Sequence, residues 1–130
     1  MPINKICVSY EQAVAGIEDG ATILVSGFGG AGMPTELLNA LRDQGASDLT
    51  IVSNNAGVGR EGIGGLLSDG KVRKVICSYP RSGGSIVFEE MWAAGKVELE
   101  VVPQGTLSER IRAAGAGIGG FYTPTGVGTQ

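Results

Sequence analysis

Gly27-x-Gly29-x-x-Gly32 is the first pattern in this chain whose spacing could do chemistry. Glycines so placed, after an apolar run and before a helical one, let backbone turn sharply and approach a phosphate or another ligand group. Two carboxamides follow later apolar runs: Asn54, with Asn55 beside it, and Gln104. Each offers a neutral N–H donor. Arg81 offers a guanidinium, whose fork fits a carboxylate bidentately. There is no histidine, and the only cysteines are Cys7 and Cys77. That removes Ser-His-Asp and Cys-His nucleophiles and HExxH metal sites, and two isolated thiols make neither a zinc site nor a disulfide scaffold. No metal site is expected.

The glycine spacing matches the dinucleotide fingerprint, but that fingerprint also needs an acidic residue at the end of the second strand. Ser53-Asn54-Asn55 stands there, and Pro34 interrupts the turn-to-helix register. A nicotinamide dehydrogenase is therefore disfavoured.

These residues must be positioned by regular elements, and the apolar pattern supplies them. Four short β-rich runs begin at Thr22, Leu49, Arg73 and Val97, so their starts lie 27, 24 and 24 residues apart. That spacing suits βα units. The runs 22–26 and 49–53 are almost continuously apolar, as strands buried on both faces of a parallel sheet should be. The run 97–102 alternates Glu with apolar residues and suits an edge.

Helices are expected between the strands. Ser9 with Gln12 reads as a capping box for a helix over roughly residues 10–18. Pro34 suits a first turn, Leu37, Leu38 and Leu41 share a face, and Gly45 can end that helix. Ser85 can cap a helix carrying Val87, Phe88, Met91 and Trp92, which read as core, with Gly95 closing it. Thr106 and Glu109 form a second capping box. The stretch 61–69 is the weakest helix, because Gly62, Gly64 and Gly65 interrupt it. The expected fold is thus α/β, an open, mainly parallel sheet with flanking helices. Loops 27–33, 54–60, 78–84 and 103–105 should line one crevice at the strand carboxyl ends.

Composition agrees with one domain over residues 1–130. Apolar residues make up 42% and charged residues 18%, a globular balance. Ten Lys and Arg face thirteen Asp and Glu with no basic stripe, so nucleic acid is not an expected partner. No signal peptide and no apolar run of membrane length are present, so the expectation is a cytoplasmic protein with no membrane contact. Glycine is the outlier, at 23 of 130 residues, against an average near 7%. It serves either loops with positive φ or backbone that approaches a ligand.

Read together, Asp19-Gly20-Ala21-Thr22-Ile23-Leu24-Val25-Ser26 with Gly27-Phe28-Gly29-Gly30-Ala31-Gly32-Met33-Pro34 resembles the α-subunit signature of the family I CoA-transferases. Ser53-Asn54-Asn55-Ala56-Gly57, the block from Pro103 to Ile111 and the block from Gly115 to Gly126 are similar to further family motifs, in the same order. The resemblance runs from about Tyr10 to Thr129, with Ser26 a departure where the family usually has glycine. Ser78-Tyr79-Pro80-Arg81-Ser82 and Gly119-Gly120 look most like the 3-oxoadipate enzymes, with acetoacetate-specific members the alternative.

The resemblance implies a fold shared with sugar-phosphate isomerases. It implies an α-subunit that continues past Gln130, so that the sheet is incomplete at its C-terminus and apolar surface is exposed. It implies CoA transfer from succinyl-CoA to a 3-oxo acid through a glutamyl-CoA thioester. The nucleophile is a glutamate of the partner β-subunit in a Ser-Glu-Asn-Gly motif, which this chain lacks; its only Ser-Glu is Ser108-Glu109, followed by Arg110. The thioester of coenzyme A is a substrate, and no cofactor is implied. Gln104 becomes the candidate donor to the thioester carbonyl. Gly27, Phe28, Gly29, Gly32, Asn54, Asn55 and Gly117 become candidates for substrate or CoA contact, and Arg81 a candidate for the far carboxylate of a dicarboxylic acceptor. Two other classes stay open: a non-catalytic domain that binds CoA or a partner, and a sugar-phosphate isomerase. The latter needs paired carboxylates in the crevice, and none of the four loops carries a pair.

Overall fold

The computed structural model describes residues 3–129. Four strands, β1 (Thr22–Leu24), β2 (Leu49–Asn55), β3 (Val72–Tyr79) and β4 (Glu98–Val101), form one sheet. Their spatial order is β1-β2-β3-β4 and every pairing is parallel. Strand-to-parallel-strand crossovers are right-handed. When each step moves to the next position in the same direction, that handedness stacks all connecting helices on one face. The contacts follow suit: α1 (Tyr10–Val14) meets α2 (Thr35–Gln44), α2 meets α3 (Ile63–Ser68), and α3 meets α4 (Ile86–Ala93). The main core lies between this helix layer and the sheet, where Leu49, Ile51, Leu66, Val75 and Phe88 are almost fully buried.

Only α5 (Gln104–Gly115) reaches the other face, where Leu107 packs with Val52, Val102 and Ile76. The order leaves β1 and β4 at the edges. For β4 this is as expected. For β1 it corrects the expectation of burial on both faces: Ile23 packs on the core, but Leu24 is 57% exposed beside α5. Trp92, expected in the core, is 46% exposed. It sits in the last turn of α4, and α4 is the outermost of the row with a helical neighbour on one side only.

Several helix signals act differently from their sequence reading. Ser9 Oγ does accept from Gln12 N, while Gln12 Oε1 accepts from Val8 N, one residue outside the box. Pro34 occupies the N-cap position of α2, and Gly45 closes that helix in the left-handed conformation. The Thr106–Glu109 box does not form. Helix α5 starts at Gln104, two residues before Thr106, and Glu109 instead holds Arg112 through two hydrogen bonds of 2.7 and 2.6 Å. That guanidinium holds the Glu109 carboxyl below the usual range. Ser85 precedes α4 without capping it. Its buried hydroxyl donates to Gly57 O at 3.0 Å and accepts from Ser82 N.

The glycine-laced stretch 61–69 is a helix for a packing reason. A Cβ on Gly64 would run into the carbonyl of Gly59, and one on Gly57 would lie 2.9 Å from Gly64 N. The β2–α3 loop therefore lies backbone to backbone on α3, and glycine's poor helix propensity is overridden by that close approach. Gly64→Ala should cost about 1–3 kcal/mol, the range for overpacking a close contact, read as a lower urea midpoint. Gly16→Ala, which meets nothing within 4 Å at an ordinary backbone conformation, should stay within about 0.5 kcal/mol.

Candidate functional site

A strand turns successive side chains to opposite faces. At the end of β2 this sends the neighbours Asn54 and Asn55 in different directions. Asn54 lies beside Ser78 of β3, between the paired positions Ser53–Cys77 and Asn55–Tyr79. Both Asn54 and Ser78 face the side that α5 crosses. Val102 and Pro103 then turn the chain from β4, and Gln104 opens α5 directly over that pair.

The three side chains meet at one atom. Gln104 Oε1 accepts from Asn54 Nδ2 at 3.1 Å and from the Ser78 hydroxyl. The Ser78 hydroxyl also lies 3.1 Å from the Asn54 carbonyl and 3.4 Å from Asn54 Nδ2. With its oxygen engaged twice, the Gln104 carboxamide keeps Nε2 without an acceptor among the described residues. Beside it opens a cavity of about 390 Å³, lined by Ser26, Gly27, Asn54, Gln104, Leu107 and Ile111 among others. Pro103 at the N-cap supplies no side-chain cap, so the first amides of α5 add their positive end at the same place. The arrangement is a neutral donor on a rigid helix start, at the rim of a largely apolar recess. It suits a ligand oxygen that gains negative charge.

Asn55 points the other way and is 2% exposed. Its Nδ2 donates to Gly29 O at 3.1 Å and its Oδ1 accepts from Gly57 N at 2.8 Å. Ser85 ties Gly57 in turn to the β3–α4 loop. One buried carboxamide and one buried hydroxyl thus lock three strand-end loops together. The glycine loop closes on itself through a two-bond hairpin between Phe28 and Ala31, and the Ser26 hydroxyl donates to Gly32 O. A Cβ on Gly27 would stand 3.0 Å from Met33 N, so that glycine answers the loop's own closure. Gly29 is different: its φ is +61° and open space surrounds it. Phe28 stands 79% exposed at the loop.

Of the residues singled out from sequence, Gly27, Asn54 and Gln104 line the cavity, and Gly29 and Gly32 belong to the loop at its edge. Arg81 lies outside this lining, with a side chain 67% exposed and Nε 3.9 Å from Glu89. Gly117 follows the far end of α5, roughly 20 Å from Gln104 at 1.5 Å per helical residue. Ser78 is the site residue that the sequence hides. A serine near a strand end carries no signal of its own; its meaning depends on a helix start 26 residues later.

Other groups are engaged elsewhere. Glu100, on the α5 side of the sheet, is paired with Lys74 and Arg110, each at 2.7 Å, which hold its carboxyl below the usual range. Among the described residues no group of three or more His, Cys, Asp or Glu could hold a metal ion, and no helix is long and apolar enough to cross a membrane. Cys77 is fully buried on the helix side of β3.

Two outcomes test this division of labour. Asn55→Ala leaves Gly57 N–H and Gly29 C=O without their partner and should destabilise the fold by about 1–3 kcal/mol. Asn54→Ala should cost clearly less in the same thermal or urea melt. Burial pushes the Cys77 thiol up to about 11, against a smaller opposing effect of its hydrogen bond with Tyr79 backbone. A raised thiol pKa keeps the unreactive neutral form at pH 8. A maleimide at pH 8 should therefore label exposed Cys7 alone, and Cys77 only after unfolding; mass spectrometry of the native and denatured protein checks it.

The chain's relatives are consistent with this geometry. Residues 8–130 match the family model described as coenzyme A transferase. The chain is 61% identical over 127 residues to one of the two subunits of the 3-oxoadipate CoA-transferase of Pseudomonas putida, covering 98% of this chain and 55% of that protein. It is 50% identical over 128 residues to the corresponding subunit of the probable succinyl-CoA:3-ketoacid coenzyme A transferase of Bacillus subtilis, covering 98% and 53%. It thus spans about half the length of these relatives. A crystal structure of an acyl-CoA transferase from E. coli O157:H7, in a thioester complex with CoA, superposes with a TM-score of 0.80 at 31% identity, over 93% of this chain and 25% of that one. The all-parallel sheet, the strand-end cavity and a family match over nearly the whole chain lead to one conclusion: this chain belongs to the coenzyme A transferase family.

Proposed function

We propose that the chain is the N-terminal portion of the α-subunit of a CoA-transferase, working in the cytoplasm as part of a hetero-oligomer with the β-subunit. The transfer runs from succinyl-CoA to a 3-oxo acid. The names of its relatives divide between 3-oxoadipate and 3-ketoacid enzymes, and the higher identity to the Pseudomonas protein favours 3-oxoadipate as acceptor.

In this reading a carboxylate on the β-subunit makes the attack on the thioester carbonyl carbon. Negative charge collects on the carbonyl oxygen, and the tetrahedral adduct collapses by expelling CoA as thiolate and leaving an acyl-glutamyl anhydride. The thiolate returns to the glutamyl carbonyl, which frees succinate and gives a glutamyl-CoA thioester. The acceptor carboxylate then repeats the sequence in reverse. This is covalent catalysis by a carboxylate. It needs a donor for the oxyanion at each addition.

The observation that carries the reading is the free Nε2 of Gln104 at the cavity. A neutral amide stabilises the oxyanion without forming an ion pair with the attacking carboxylate, as a lysine would. Arg81 is exposed and only loosely engaged with Glu89. In this reading it meets the second carboxylate of 3-oxoadipate, and Phe28, Gly29, Gly32 and Gly117 meet parts of the CoA thioester.

The test uses the full-length α-subunit co-expressed with its partner, with succinyl-CoA and both acceptors as substrates. Gln104→Ala should lower kcat about 10²–10³-fold, the loss typical of one oxyanion donor. Circular dichroism should stay unchanged. A folded variant within about threefold of wild type would leave Gln104 as a helix-start residue only. The 130-residue chain alone should give no turnover.

A further inference from the structure

We infer that Ser78 is a positioning residue for this reaction: its hydroxyl, together with the Asn54 amide, holds Gln104 Oε1 inward so that Nε2 is presented to the cavity. The inference rests on the reading of Gln104 as the donor. A carboxamide has two ends of nearly equal shape, and its terminal torsion is broad and roughly two-fold. Nothing steric keeps the nitrogen outward. Turned over, the same side chain would set a carbonyl oxygen against the developing oxyanion and repel it. The orientation must come from the partners of the buried end.

Those partners are both donors. Asn54 Nδ2 stands 3.1 Å from the Gln104 atom it faces, so that atom is the acceptor oxygen. The Ser78 hydroxyl donates to the same oxygen, and a carbonyl oxygen has two lone pairs with which to take both. Ser78 is carried by a central strand, paired on one side with β2 and on the other with β4. Asn54 is fixed to the same place, since its backbone carbonyl lies 3.1 Å from the Ser78 hydroxyl. The clamp is therefore built from the two inner strands of the sheet, while the residue it orients rides on α5. Removing the hydroxyl takes away one of two donors and leaves the carboxamide free to turn. Ser78 need never touch substrate.

The reconstituted full-length enzyme, both subunits present, provides the test. Losing one neutral hydrogen bond is worth about three- to tenfold in rate. Ser78→Ala should lower kcat by that factor with KM unchanged, because an interaction made in the transition state is weakened. Ser78→Thr keeps a hydroxyl on a strand that favours β-branched residues and should stay within about twofold of wild type. In the Gln104→Ala background Ser78→Ala should cost nothing further, since the residue through which it acts is gone.

If Ser78→Ala folds poorly by thermal melt, Ser78→Cys takes its place: it fills the site but donates weakly, and should fall below Ser78→Thr in kcat. Multiplicative losses in the double variant would overturn the inference while leaving Gln104 as the donor. So would a wild-type kcat for Ser78→Ala or Ser78→Cys alongside an impaired Gln104→Ala. A wild-type rate for Gln104→Ala itself would remove the underlying reading, and the role of Ser78 with it.

Discussion

The alternation of side chains along a strand is the constraint from which the site follows. At the end of β2 it separates two adjacent asparagines by function: Asn55 goes into the loop scaffold and Asn54 into the cavity. A shift of one residue in register would exchange their faces. The burial of β2 forbids that shift, because Leu49, Ile51 and Ser53 face the helix layer while Thr50 and Val52 face α5, and all are 9% exposed or less. The packing of the strand and the placement of the donor cluster are therefore one property.

Glycine shows the same coupling of packing to site. Its enrichment fits either loop geometry or close approach to a ligand, and the molecule divides these between positions. Gly57 and Gly64 are required because two stretches of backbone lie against each other, and Gly27 because its loop folds back on Met33. Gly29 alone of the fingerprint spacing combines a positive φ with open space. It is also the residue whose carbonyl Asn55 grips. A ligand approaching there meets backbone already held from beneath.

What is legible in the sequence is what local chemistry determines. The β-rich runs spaced by about 24 residues, the left-handed closure at Gly45 and the edge character of β4 depend on neighbours in the chain, and each is readable there. Gln104 and Asn54 are readable because carboxamides at strand ends have few other places to point. The rest depends on what folds back from a distance. Glu109 has the spacing of a cap, but α5 begins two residues earlier and Arg112 offers a stronger partner. Ser85 has the position of a cap, but Gly57, 28 residues away, claims its hydroxyl. The face of β1 toward α5 is apolar and so reads as buried, although strand order makes it an edge with Leu24 in the open.

The donor can work only if α5 holds its place, and magnitudes decide what holds it. Two interactions tie the helix to the sheet. Arg110 meets Glu100, which Lys74 also holds; and Leu107 buries itself between Val52, Ile76 and Val102. The Glu100 side chain is 34% exposed and that of Arg110 51%, so this pair is worth no more than about 1 kcal/mol and weakens with salt. The Glu100 carboxyl is depressed by both cations, so its small contribution is present above the ordinary carboxylate pKa. It fades as pH falls through the lowered value. Burying a leucine side chain is worth about 1.5–3 kcal/mol and does not titrate. Leu107 lies one helical turn from Gln104, and its N–H closes the first turn onto the Pro103 carbonyl at 2.8 Å. The apolar contact therefore sets where the helix begins, and the ion pair trims its far side. The position of the Gln104 amide should accordingly hold across the physiological range of pH and salt, with hydrophobic packing and not surface charge keeping the donor over Asn54 and Ser78.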